Sequence, residues 1–138
     1  MIATFIVNAD LLAQHFFKAA PLLQPVIDQA GRGEFTVADI HRLTAEGRAI
    51  TAIAEKDGVA VMAMAFEFVS YPQYVAVNIM ALGGEGVEAV SREFWATFKT
   101  WCRSAGASVI EASCSDAMAR LLSRHEFKSV YRVVRTQL

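Results

Sequence analysis

Cysteine is scarce. Cys102 and Cys114 are the only two, and neither Cys-x-x-Cys nor Cys/His ligand spacing surrounds them. That excludes a disulfide framework and leaves a metal site unsupported, so reduced thiols are the expectation. Proline is equally sparse, at Pro21, Pro25 and Pro72. With no low-complexity tract and no repeat, there is no linker at which to divide the chain. Hydrophobic runs are short: Val59 to Phe66 ends at Glu67, far below the roughly 18–20 residues of a membrane helix. The opening residues, Met1 to Asp10, carry no basic side chain ahead of their apolar stretch. They do not read as a secretory signal, so the expectation is a protein that is cytoplasmic when synthesised. Nor does one sign of charge dominate, because 13 basic against 14 acidic residues leave a net charge of −1. Such a balance provides no field for nucleic acid or an anionic membrane.

What remains is apolar. Of 138 residues, 54% are hydrophobic even with glycine left out, against about 45–50% with glycine counted in for an ordinary soluble domain. A chain of this length buries roughly two-thirds of its unfolded surface around one core. The expectation is a single domain spanning residues 1–138.

Periodicity divides the chain into elements. Ile2 to Val7 suits a short strand, and Asn8 or Asp10 offers a side-chain oxygen to cap a helix towards Ala20. Pro21 and Pro25 weaken the helical signal that follows, as far as Ala30. Thr36 is placed to cap a helix over Val37 to Glu46, with Phe35 as its hydrophobic staple and Gly47 as its left-handed terminator. From Arg48 the period becomes two. Ala49 to Glu55 and Val59 to Ser70 read as strands joined at Lys56-Asp57-Gly58, an Asp-Gly hairpin signal, and Tyr74 to Leu82 is a third. After Gly83-Gly84-Glu85-Gly86, the residues Val87, Val90, Phe94, Phe98 and Trp101 recur at helical spacing up to Gly106. Trp95 points about a quarter turn away and would anchor a protein contact if exposed. Ser108 to Ser113 is a short strand, Asp116 to His125 a helix, and Lys128 to Thr136 a closing strand. A strand–helix–strand unit after a meander predicts a mixed sheet with helices on both faces.

This order, with the Gly-rich turn between Leu82 and Val87, resembles the GNAT superfamily of acyl-CoA N-acyltransferases over roughly Thr36 to Thr136. The resemblance implies an α/β fold in which a mixed, largely antiparallel sheet is flanked by helices. It also implies acetyl-CoA or another acyl-CoA as cofactor, with Leu82, Gly83, Gly84, Gly86 and Val87 cradling the pyrophosphate at a helix N-terminus. Arg120 and Arg124, on one face of the last helix with Lys128 beyond, are candidates for the 3'-phosphate; a solvated charged face explains them too. The chain departs from the family's pattern at several points. No Arg or Gln opens the turn, Glu85 lies where phosphate is expected, and Asp116, Leu122 and Glu126 replace the family's Asn, Tyr and Gly. Leucine at 122 has no proton to give a departing thiolate. The runs Ala81 to Gly86 and Ala117 to Leu122 look most like small GNAT-like proteins of tailed bacteriophages, some of which are virion components.

Acyl transfer to an amine needs a base, a polarised carbonyl and a route for the thiol to leave. Glu67, the only charge inside Val59 to Ser70, is the candidate base; it equally marks a solvent-facing position. Asn78, the lone polar residue of Tyr74 to Leu82, either orients a carbonyl or satisfies neighbouring backbone. Ser115, in the run Ser113-Cys114-Ser115, is a candidate proton donor or a helix cap. His15, His41 and His125 share no pattern and read as structural or exposed. Two functional classes follow. One is a phage-type GNAT-like protein with a degenerate site, serving in virion assembly or partner binding, and virion-associated after synthesis. The other is an active acyl-CoA-dependent N-acyltransferase. Phage structural proteins are the partners the resemblance implies, and self-association is the other expectation, since the closing segment is short for the two closing strands usual in the family. Either the sheet lacks a strand or another copy completes its edge.

Overall fold

A computed structural model describes the chain apart from Gly31 and Gly86 and the side chains of Ala30, Val87, Glu88 and Ala89. The order is β1 (Ile2–Ile6), α1 (Ala9–Ala30), α2 (Val37–Ala45), β2 (Ile50–Lys56), β3 (Val59–Ser70), β4 (Val75–Gly83), α3 (Val87–Ser104), β5 (Val109–Ala112) and α4 (Asp116–Ser123). The strands form one sheet in sequence order, antiparallel from β1 to β4 and parallel between β4 and β5. Among the described residues no helix is long and apolar enough to cross a membrane.

Local chemistry explains most boundaries. Asn8 Oδ1 accepts from the Leu11 amide at 2.9 Å to start α1. Pro21 and Pro25 do not end that helix, which continues to Ala30. Both prolines are exposed, and the solvent side is where a helix tolerates the loss of an intrahelical bond. Thr36 and Asp39 form a reciprocal cap: Thr36 Oγ1 accepts from the Asp39 amide at 3.1 Å, and Asp39 Oδ2 accepts from the Thr36 amide at 2.9 Å. Backbone and then side-chain hydrogen bonding to Thr36 hold the Asp39 carboxyl below its ordinary value. The Asp57-Gly58 turn has positive φ at both residues, 53° and 78°, as a tight antiparallel hairpin requires.

The two faces of the sheet are built from different residues. Met62, Met64, Phe66, Val77 and Ile79 meet Val90, Phe94, Trp95, Phe98 and Leu122 of α3 and α4. The opposite face, Ile53, Ala63, Ala65 and Ala81, meets Phe16, Ala19, Leu23 and Ile27 of α1 and Ile40 of α2. Alanines let the α1 backbone come close. At Gly83 the approach is closest, and a Cβ there would overlap the Leu22 carbonyl oxygen and the Val26 side chain.

Trp95 is buried as core packing, so the condition for a protein anchor is not met: it packs at 5.3 Å from the His125 ring and 5.4 Å from Phe127. The expected closing strand is corrected, because the segment from Lys128 to Thr136 is no strand. It runs exposed beyond the last helix, with Val130, Tyr131, Val133 and Val134 among the large exposed hydrophobics. Its apolar residues fall on both sides of an extended chain, so no single face drives it into the sheet.

Replacing Gly83 by alanine is expected to destabilise the protein by about 1–3 kcal/mol, as overpacking against a fixed backbone does. Urea unfolding checks this; an unchanged midpoint would mean that α1 is free to move off the sheet.

Candidate functional site

The site begins where β4 and β5 part. They pair from Ala76 with Val109 to Ile79 with Ala112, after which β4 continues along β3 to Gly83, opposite Ala63. Met80 is an extra residue in that ladder, since Ala65 faces Ala81 whereas Phe66 faces Ile79. Met80 and Ala81 consequently both pack on the α1 side. A bulge bends the strand that carries it, and here the bend coincides with the end of β5 pairing. The chain after Ala112 turns through Ser113, Cys114 and Ser115 into α4. A wedge therefore lies between Met80–Gly83 and 113–115, with α3 and α4 both starting at the strands' C-terminal ends. In open α/β sheets ligands bind at such divergences.

Beside the wedge, on the face of α1 and α2, a polar row crosses three strands. Glu67 faces Asn78, and Asn78 faces Glu111. The Asn78 amide donates to Glu67 Oε2 at 3.2 Å, and the Tyr71 hydroxyl donates to Glu111 Oε1 at 2.6 Å. That hydrogen bond, before all else, pushes the Tyr71 phenol well above its ordinary value, so it stays protonated. Glu67, half-buried, lines an open cavity of about 460 Å³ with Leu43, Gly47, Arg48, Phe68 and Met80. The lone charge of β3 and the lone polar residue of β4 thus meet, on the side of the sheet that bears the Glu67 cavity. Glu111 and Tyr71 escaped the sequence reading. Glu111 is the lone charge in its apolar strand, the criterion that selected Glu67, whereas Tyr71 carries no local signal because its partner is 40 positions away.

The Gly-rich turn has a different character. Gly83 is buried in the sheet under α1. Gly84, with φ of 148°, has a conformation suited to glycine, and a Cβ there would overlap the Val61 carbonyl oxygen. Packing thus accounts for both glycines. Leu82 is half-buried against the α3 face; Gly86 and the Val87 side chain lie outside the described residues. The backbone places two helix N-termini at the ends of the parallel strands, α3 after β4 and α4 after β5, where partial positive charge gathers. The side chains there are less suited to an anion: Glu85 is exposed beside one N-terminus, and Asp116 opens α4 at the other.

Ser115 does not join Glu67 and Asn78. It caps α4, its Oγ accepting from the Met118 amide at 3.2 Å. Neighbouring Cys114 is exposed, and desolvation of its sulfur followed by the Asp116 charge raises its thiol above the ordinary value. It is a protonated thiol at neutral pH, not a nucleophile. Leu122 is buried at 4% exposure in the α3-side core.

A second concavity, about 770 Å³, lies between α3 and α4 and is lined by Arg92, Lys99, Arg103, Arg124 and His125. Lys99 pairs with Glu126 at 3.2 Å and donates to the His125 carbonyl at 3.3 Å. His125 Nε2 lies 3.0 Å from Ser91 Oγ. Arg124 lines this groove, whereas Arg120 is exposed outside its lining. Among the described residues no group of His, Cys, Asp and Glu is placed to hold a metal ion.

At the level of sequence, no protein-family model and no curated relative matches the chain. Solved structures do. A ribosomal-protein-alanine N-acetyltransferase from Brucella melitensis biovar Abortus 2308 superposes with a TM-score of 0.72 at 10% identity, over 100% of both chains. An aminoglycoside 6'-N-acetyltransferase from Acinetobacter haemolyticus gives 0.69 at 12% identity, over 100% of this chain and 98% of the other. An aminoglycoside N-acetyltransferase in complex with CoA gives 0.68 at 14% identity, over 99% and 93%. The fold is therefore GNAT-like, as the sequence resemblance implies.

Desolvation, then Lys99 and Arg124, lowers the His125 pKa below its ordinary 6.5. The unfolded chain takes up this proton first. The stability conferred by neutral His125 is thus complete above about pH 6.5 and is lost as pH falls through the lower folded value. The melting temperature is expected to drop between about pH 7 and pH 5, and to drop less in His125→Gln; equal drops in both proteins would remove His125 as the cause.

Proposed function

We propose that the chain is an acyl-CoA-dependent N-acyltransferase whose base is Glu67. The observation that carries this reading is the Asn78–Glu67 hydrogen bond beside a cavity, at the level of the sheet where β4 leaves β5. Acetyl-CoA or another acyl-CoA, lying in the wedge, would supply an activated carbonyl and a thiolate leaving group. Its pyrophosphate would be held by main-chain amides at the start of α3. Arg92 and Arg124, at the α3–α4 groove, offer charge to the outlying phosphate. On the other side of β4, Glu67 accepts the proton that the attacking amine gives up as the new C–N bond forms. Asn78 fixes one Glu67 oxygen and leaves the other for the substrate. Water, or the Cys114 or Ser115 side chain in the turn between β5 and α4, would supply the proton that a departing thiol needs.

A second reading has its own support. Packing explains Gly83 and Gly84, Leu122 is sealed in the core, and Glu85 and Asp116 oppose phosphate. These favour a GNAT-like scaffold whose acyl-CoA site has lapsed and whose role is assembly, with structural proteins of a phage virion as the partners the sequence likeness suggests.

Acetyl-CoA titration separates the two. At a hundred times its dissociation constant it adds about 2.7 kcal/mol, a rise of several degrees in melting temperature. Glu67→Gln is expected to keep that rise while lowering amine-dependent release of free thiol by about 10²–10⁴-fold. Removing the charge at Glu85→Gln is expected to tighten acetyl-CoA by about two- to fivefold. No shift at millimolar acetyl-CoA sinks the enzyme reading, and an active Glu67→Gln variant reassigns the base.

A further inference from the structure

The segment from Lys128 to Leu138 forms neither helix nor strand, and no backbone hydrogen bond joins it to the sheet among the described residues. It is nonetheless tethered to the rest of the chain. Phe127 packs on Trp95 at 5.4 Å, the Tyr131 hydroxyl neighbours that of Tyr71, and Arg135 pairs with Glu34. Between these tethers Val130 is 77% exposed, Tyr131 72%, Val133 63% and Val134 90%. β5 ends the sheet, with no strand on its outer side among the described residues.

Two unsatisfied surfaces therefore sit on one chain: a strand-prone apolar segment and an open strand edge. Each is what the other lacks. A chain rich in β-branched and aromatic residues gains most by pairing on such an edge. Within one molecule the tethers hold the segment without a ladder. From these observations we infer that the protein is a two-fold dimer in which residues 128–138 of each copy add to β5 of the other as a sixth strand. A closed, reciprocal exchange satisfies both surfaces with the same residues twice, as an isologous interface requires. Charge fits this occupant. The segment carries Lys128, Arg132 and Arg135, the last paired with Glu34 in the single chain, and no acid, while β5 presents Glu111, which also accepts from Tyr71. Laying two segments directly side by side would instead set cations against cations. The proposal concerns assembly and stands apart from the acyl-CoA reading, which fails or survives on ligand titration.

Sedimentation velocity of the full chain at tens of micromolar is expected to give twice the chain mass. In Val130→Glu/Val134→Glu, whose substitutions lie on exposed positions of the single chain, the mass is expected to halve while the circular dichroism spectrum is kept. Hydrogen exchange adds the location: β5 amides facing away from β4 exchange slowly in the dimer and fast in the double variant. A monomeric full chain, whether its segment folds back on its own β5 or awaits a different protein, overturns the inference. So does a dimer that survives the double substitution, or one whose outer β5 amides exchange freely.

Discussion

The separation of β4 from β5 is the constraint on which the rest of the molecule depends. Two parallel strands that stayed paired to their ends would close the sheet and leave α3 and α4 packed without an opening. The extra residue at Met80 prevents this by bending β4 along β3 once Ile79 has made the last pairing with β5. Several features follow from that one irregularity. Two helix N-termini follow the ends of the parallel strands, Met80 reaches the wall of the Glu67 cavity, and β4 is steered under α1 as far as Gly83. The last consequence is sterically strict: the strand passes the α1 backbone so closely that no side chain fits. A bulge, a glycine and a row of alanines are thus one arrangement, in which small residues let a long helix press a bent strand into place.

How legible this was depended on the range of the interactions involved. The Thr36–Asp39 cap, the Asp57-Gly58 turn and the Gly47 terminator are written within a few residues, and the structure has them where the sequence puts them. Glu67 and Asn78 were legible because a lone polar residue in an apolar strand stands out, although their meeting depends on register. The Met80 bulge was not legible, since a count of two successive apolar residues cannot say which one is surplus. Tyr71 and Arg92 were missed for a related reason: each acquires a role only from an element far away in the chain. The expected closing strand misled because composition favours extension without saying whether an edge is there to receive it. The prolines of α1 misled in the opposite direction, their cost being reduced by facing solvent.

The glycines illustrate a wider difficulty. Glycine in a strand-to-helix turn is what a phosphate cradle requires, and it is also what close packing requires. In this molecule the neighbours of Gly83 and Gly84 are main-chain atoms of α1 and β3, so these two positions would be glycine with or without a ligand. The argument for an anion falls instead on the helix termini, whose first amides have no partner within their own helix, although at α4 the Met118 amide is already held by Ser115 Oγ. Against them stand Glu85 and Asp116. Each interaction with a helix terminus is worth about 0.3–1 kcal/mol at an exposed position, enough to weaken binding but too little to abolish it.

The buried leucine at 122 bears on catalysis less than it first suggests. A thiol leaving group has an ordinary pKa near 8.5, within about two units of neutrality, whereas an alkyl ammonium is near 10.4. Water at neutral pH can protonate a departing thiolate without a dedicated acid, so a missing phenol slows the step without closing it. Removing a proton from the amine is the harder task, and in the proposed reaction it falls to Glu67, whose carboxylate accepts from Asn78. On that reading the more demanding half of the chemistry is provided for even with leucine at 122. For that reason Glu67, rather than Leu122 or the glycines, is the residue on which the enzymatic reading turns.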